Sequence, residues 1–172
     1  RNSLLEYCQQ NGIEACLQLD DDIRYVRTMN GQKLTGKPFR ELMEKCFDFA
    51  KRNKIDLFGS YATDNRLMMT RTVRTNFLVG MLLGIMDVSM RFDEKFLIKH
   101  DYELSLRMIS QGRNVKRFNS FAPVARHKNR GGCFSAWQRK DYMIEARWLA
   151  EAYPHLVTLH PTKVGEIKFK NK

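Results

Sequence analysis

Nothing in these 172 residues approaches the roughly 20 consecutive apolar residues that a membrane-spanning helix needs. A signal-peptide pattern is also lacking, and the first residue is Arg1 and not Met, so a processed, tagged or partial chain is the expectation. Cysteine is sparse: Cys8, Cys16, Cys46 and Cys133 are scattered, with no CxxC pair and no zinc-ribbon spacing. The first three lie in apolar stretches and read as buried free thiols in a reducing cytoplasm, bacterial or phage-infected. No repeat, low-complexity tract or linker divides the chain, whose length fits one domain with a sizeable core. Acidic residues are the scarce charge, 19 against 30 Lys and Arg, for a formal net charge of +11. A surface so basic favours polyanions: nucleic acid, acidic membranes or phosphorylated ligands.

Strand and helix patterns alternate along the chain. Residues 1–10 read as a helix with Leu4, Leu5 and Cys8 on one face, stopped by Asn11-Gly12. A strand follows over 15–19. A hairpin with a primed turn at Asn30-Gly31 is expected over 25–34. Pro38 opens a helix through Arg52 whose apolar side carries Phe39, Leu42, Met43, Cys46, Phe47 and Ala50. Strands are expected at 55–61, once or twice within 66–80, at 114–118 and at 121–125. Residues 81–90 are apolar without a decisive period. Helices are expected at 101–111, closed by Gly112, and at 133–153, stopped by Pro154. The class is therefore α/β with a mixed sheet flanked by helices. Residues 1–160 form the domain and 161–172 a frayed basic tail.

Three segments carry chemistry. The triplet Asp20-Asp21-Asp22 follows directly on a strand; three like charges repel, and hard carboxylate oxygens suit Mg²⁺ or Mn²⁺. Ligands in open α/β sheets bind beyond the carboxyl ends of strands, although a solvated acidic turn is the plainer reading. Asp101 and Glu103 open a helix, where the dipole favours anions; Asp101 as a simple N-cap is the plainer reading there. In the third segment His127 precedes Gly131-Gly132, and Arg126, Lys128 and Arg130 surround the glycines, a composition suited to a metal ligand and a diphosphate cradle. A lone His and a basic glycine loop are also common where nothing binds.

Taken in order, the acidic triplet, FDE, HDYELSLRMISQGRNV and a His in a basic glycine loop resemble a GT-A glycosyltransferase over residues 1–141. The wording of DDDI after an RN-containing helix, with RHKNRGG, is most similar to the TET-associated glycosyltransferases, phage-type enzymes taken to glycosylate hydroxymethylated pyrimidines in DNA. The resemblance implies that Asp20 and Asp22 are the outer DxD residues, facing the nucleotide ribose and the metal, with Asp21 helping either. It implies His127 as the late metal ligand and Asp101 as the base that deprotonates the acceptor hydroxyl. Arg130 or Arg139 would assist the diphosphate. The implied cofactors are Mn²⁺ or Mg²⁺ and a nucleotide sugar, a UDP-sugar first of all. Two departures stand out. His100 occupies a position where many relatives carry an acid, so the protonation of Asp101 is expected to depend on the charge of His100. Only 19 residues precede Asp20, too few for the βαβ nucleotide-binding unit that usually comes first. The implication is a fragment, a missing half from another polypeptide, or loss of turnover.

The leading function is thus inverting, metal-dependent sugar transfer to a hydroxyl, with a hydroxymethylated base in DNA as acceptor. Tyr61, Phe134 and Trp137 are aromatics able to stack on an extruded base. The alternatives are transfer to polysaccharide, lipid or protein, a catalytically decayed nucleic-acid-binding module, or a metal-dependent nuclease. Clustering of Arg24, Arg27, Arg66, Arg71 and Arg74 around the acidic mouth is the feature that would favour DNA.

Overall fold

The computed structural model describes residues 1–125 and 138–170 and shows a mixed α/β fold, with four helices among those residues. In chain order the elements are α1 (Asn2–Gln10), β1 (Cys16–Leu19), β2 (Ile23–Thr28), β3 (Lys33–Leu34), α2 (Gly36–Arg52), β4 (Leu57–Ser60), β5 (Val73–Arg74) and β6 (Leu82–Ile85). After these come α3 (His100–Ser110), β7 (Val115–Phe118), β8 (Phe121–Ala125), α4 (Gln138–Ala152), β9 (Val157–Leu159) and β10 (Ile167–Phe169). None of the described helices is long and apolar enough to cross a membrane.

The main sheet has the order β1-β6-β4-β7-β5. Strand β6 runs antiparallel to both β1 and β4, and β4 runs parallel to β7. Hence β1, β4 and β7 point the same way, and their carboxyl ends share one edge with the start of β6. Leu57, Phe58, Leu82, Leu83 and Ile85 are fully buried, as strands covered on both faces require. One face packs α1 and α3 through Leu5, Leu83, Leu104 and Val115. The other packs α2 and the three-stranded sheet β3-β2-β8 through Met43, Phe58, Leu82 and Phe121. Leu106, Leu149, Val157 and Ile167 form a third cluster that joins α4 and the β9–β10 pair to α3. Burial raises the Cys46 thiol to about 12, in keeping with an inert core thiol.

Several local expectations change. In the β2–β3 hairpin only Gly31 takes positive φ, at 86°. Asn30 does not, so the primed two-residue turn gives way to a three-residue loop. That loop is closed by Gly31 N–H to Thr28 O at 2.8 Å and Thr28 N–H to Gln32 O at 3.0 Å. Leu4, expected inside, is exposed while Leu5 and Cys8 are buried. Of the stretch 66–80 only Val73–Arg74 pairs as a strand, and 66–68 form a 3-10 turn capped by the Asn65 side chain. The residues read as a frayed tail include β10, which pairs antiparallel with β9 and buries Ile167. The part of the final helix expected before residue 138 lies outside the described residues.

The ring of Phe58 lies against Gly84, its neighbour across the β4–β6 pairing, and is held edge-on by Phe47 and Phe118 at 5.0 and 5.5 Å. A Cβ at position 84 would fall inside the contact envelope of that ring, which has no free direction to move. Gly84→Ala should therefore lose on the order of 2 kcal/mol of stability in urea unfolding. An unchanged midpoint would show that the ring can yield.

Candidate active site

The site forms at the shared carboxyl edge of the main sheet. Strand β1 delivers Asp20, whose N–H donates to Met81 O at 3.1 Å and so ties it to the entrance of β6. The Arg1 guanidinium meets Asp20 Oδ1 at 2.6 Å, and its carbon lies 5.6 Å from the centre of the Phe92 ring. Burial raises the Asp20 pKa, Arg1 opposes that shift, and Asp22 and Asp21 add to it. Asp21 and Asp22 are exposed in the turn and make no hydrogen bond or ion pair among the described residues. Their like-charge repulsion is therefore uncompensated there, and two hard-oxygen donors face solvent, a donor set that fits Mg²⁺ or Mn²⁺.

Asp101 comes to the same place from α3. It is only 7% exposed, and its Oδ2 accepts the N–H of Gly80, two residues before β6. Its Oδ1 accepts the N–H of Tyr102 at 2.9 Å. A Cβ on Gly80 would lie 2.7 Å from Arg1 Nη1 and 3.0 Å from Asp101 Oδ2, so Gly80 occupies the gap between the arginine and the acid. Burial pushes the Asp101 pKa up to about 6, against the pull of the Gly80 and Tyr102 N–H groups and Arg1.

His100 answers the question that its neighbour raised. Burial, with Arg1 adding to it, lowers its pKa to about 4, and its ring stands edge-on to Phe92 at 5.5 Å. The imidazole is neutral at physiological pH, so the ionisation of Asp101 does not hinge on it.

Asp101 is not the N-cap. The helix begins at His100 with Lys99 as N-cap, and no side chain of the capping residue closes it. The backbone just before the helix is held by the buried Glu145 carboxylate of α4, which accepts the N–H groups of Leu97, Ile98 and Lys99 at 2.8, 3.1 and 2.7 Å. Sequence reasoning missed Glu145 because nothing near it in the chain marks it as the partner of a backbone segment some 46 residues earlier. It also missed Lys99, 1% exposed, whose Nζ lies 3.5 Å from the centre of the Tyr142 ring and 3.6 Å from Glu166 Oε2. Its place beside His100-Asp101 was the available signal. Burial lowers the Lys99 pKa, with Glu166 and Asp101 resisting. Glu103 is buried too, but it pairs with Arg107 at 3.0 Å and accepts from Tyr153 Oη at 3.0 Å, a structural role inside the helix packing.

The structure thus brings Asp20 and Asp101 together around Arg1 and leaves Asp21 and Asp22 at the rim. Arg126, His127, Lys128, Arg130, the two glycines, Phe134 and Trp137 lie outside the described residues, as does the Arg139 side chain. The last residue described before them, Ala125, is the register partner of Ile23, one position beyond Asp22. Among the described residues no group of three or more His, Cys, Asp or Glu is placed to hold a metal. A cavity of about 210 Å³ opens beside Asp20, lined also by Arg24, Tyr25, Thr35 and Phe39. A second of about 320 Å³ lies between α4 and the β9–β10 pair, at Arg147, Glu151 and Lys170. Of the five arginines expected around the mouth only Arg24 lines the cavity there; Arg27 pairs with Asp64 at 3.5 Å, and Arg66 donates to Met29 O. No family model matches the chain, and no curated protein or solved structure does either.

Because Asp101 binds its proton more tightly in the folded state, its contribution to stability is largest below the ordinary carboxylate pKa. That contribution is lost as pH rises towards 6. Asp101→Asn gives up one of the two N–H acceptors at every pH, but it should gain on the parent by on the order of 2 kcal/mol in urea unfolding between pH 4 and pH 7.5. A variant no more stable at pH 7.5 than at pH 4, relative to the parent, would contradict the burial argument.

Proposed function

We propose that this chain is a GT-A-like, metal-dependent glycosyltransferase that moves a sugar from a nucleotide sugar to a hydroxyl with inversion. The observation that carries the reading is the meeting of the β1 carboxylate with a buried, raised-pKa carboxylate across one guanidinium. An alcohol is a poor nucleophile until its proton has somewhere to go, and a carboxylate near 6 is ionised at neutral pH yet basic enough to take it. Asp101 receives that proton while the acceptor oxygen attacks the anomeric carbon in line and the diphosphate departs from the opposite side. Its two oxygens each hold one N–H bond and keep a further lone pair for the acceptor. Arg1 occupies Asp20 Oδ1, which leaves Oδ2 to face a ribose hydroxyl.

Asp22, with Asp21 beside it and His127 from the segment outside the described residues, would hold Mn²⁺ or Mg²⁺, which supplies Lewis-acid stabilisation of the diphosphate charge. Arg130 would add a cation for the same group. The favoured acceptor is a hydroxymethylated pyrimidine in DNA, a choice that rests on the net charge of +11 and on the resemblance of the motifs. The dispersed arginines do not add to it.

Calorimetric titration with UDP-sugars should show binding that needs Mn²⁺, and Asp22→Ala should weaken it at least tenfold. Asp101→Ala should abolish transfer while leaving that binding intact, and the parent's kcat/KM should rise with pH to a plateau above about 6. Undiminished turnover in the Asp101 variant would remove it as the base.

A further inference from the structure

A pair of arginines further along the same edge has no part in the chemistry above. Arg74 of β5 and Arg117 of β7 are direct register partners in antiparallel strands. Like charges set opposite one another in a sheet repel, and the usual remedy is a carboxylate nearby. Neither arginine forms an ion pair among the described residues. The residues outside the description contain no Asp or Glu, so no acidic side chain elsewhere in the chain remains to neutralise the pair.

The Arg117 side chain is held in place. Its Nε donates to Asn119 Oδ1 at 2.8 Å. Asn119 is buried and is itself fixed, donating from Nδ2 to Thr72 Oγ1 at 2.9 Å and from its N–H to Thr72 O at 3.0 Å. The Arg117 guanidinium lies over the Tyr61 ring, 5.2 Å from its centre. Nη1 and Nη2 find no acceptor among the described residues. A planar fork held by its Nε, stacked on an aromatic ring and set beside a second cation matches the oxygens of a phosphate. Strand β7 lies three strands from β1, roughly 14 Å at ~4.8 Å per strand, so the pair is separate from the acidic mouth.

We propose that Arg74 and Arg117, on the Tyr61 platform, form a phosphate-binding subsite. The phosphate is either a phosphodiester of a polynucleotide or the free phosphate end of a nucleotide, and both present the same anionic oxygens. The assignment needs neither a metal nor sugar transfer, and it stands or falls apart from the glycosyltransferase reading.

The test is binding of a fluorescein-labelled 12-nucleotide DNA strand by anisotropy and of UDP by calorimetry, both without metal and without sugar. Arg74→Gln and Arg117→Gln should each weaken the probe that uses the subsite by about fivefold to tenfold, while Arg147→Gln in α4 changes nothing. If that probe is the oligonucleotide, each loss should also lower the salt slope of its affinity by about one; if it is UDP, the source is the nucleotide. Arg117→Lys should recover part of the loss. Arg74 is exposed, so its variant keeps the test readable if Arg117→Gln folds poorly. Relief of the like-charge pair should raise the Tm of Arg74→Gln by about 1–3 °C, and 20 mM inorganic phosphate should raise the parent's Tm more than the variant's. Unchanged affinity for both probes in both Gln variants would overturn the proposal and leave the pair as mere charge on a short edge strand.

Discussion

A single backbone N–H with no side chain beside it governs the geometry of the edge. Gly80 donates to Asp101 from a position where any Cβ would crowd both that carboxylate and Arg1. The contact joins the strand that enters the middle of the sheet to the first turn of α3, and it sets how far the helix can approach. Because Asp20 is bonded to Met81, the next residue, the two carboxylates are referred to one short piece of backbone. Their separation is then a property of the β6 entrance and does not depend on the turn that carries the triplet.

The electrostatics follow from burial on a basic chain. Net positive charge is spread over the surface, while the carboxylates that matter are drawn inside and matched by N–H groups or one guanidinium. Asp101 keeps a raised pKa because its burial outweighs the pull of two neutral amide donors and the more distant arginine. His100 is kept neutral first by burial, with the arginine that pairs with Asp20 adding to it. Burial is thus the leading influence on all three neighbours, and Arg1 opposes it at Asp20 and Asp101 while adding to it at His100.

Much of the framework was legible from local pattern. The apolar run before the triplet, the α2 periodicity and the α3 boundaries correspond to elements in the structure because each depends on residues close in the chain. The errors fall where distant residues decide. The hairpin turn hinged on whether Asn30 would adopt positive φ, and the four-residue reach of Thr28 to Gln32 made that unnecessary. The β10 strand is short and set in a Lys-rich end of the chain, and only its pairing with β9 makes it a strand. Asp101 looked like a cap from its position alone, but the helix begins one residue earlier, with Lys99 as N-cap. Asp20 and Asp101 were both identifiable as acids at element ends; Arg1 and Gly80, which bring them together, carry no motif of their own.

The reach of Glu145 has a consequence for how the molecule is made. All five strands of the main sheet are complete once residue 118 has been added, yet the loop before α3 is not secured until a residue some 46 positions beyond Lys99 has arrived and folded back. Long-range closure of this kind is slow relative to local pairing. During synthesis the scaffold therefore comes first: all five strands of the main sheet are available before Glu145 arrives to hold the backbone at residues 97–99, and α4 acts as the latch that closes that stage.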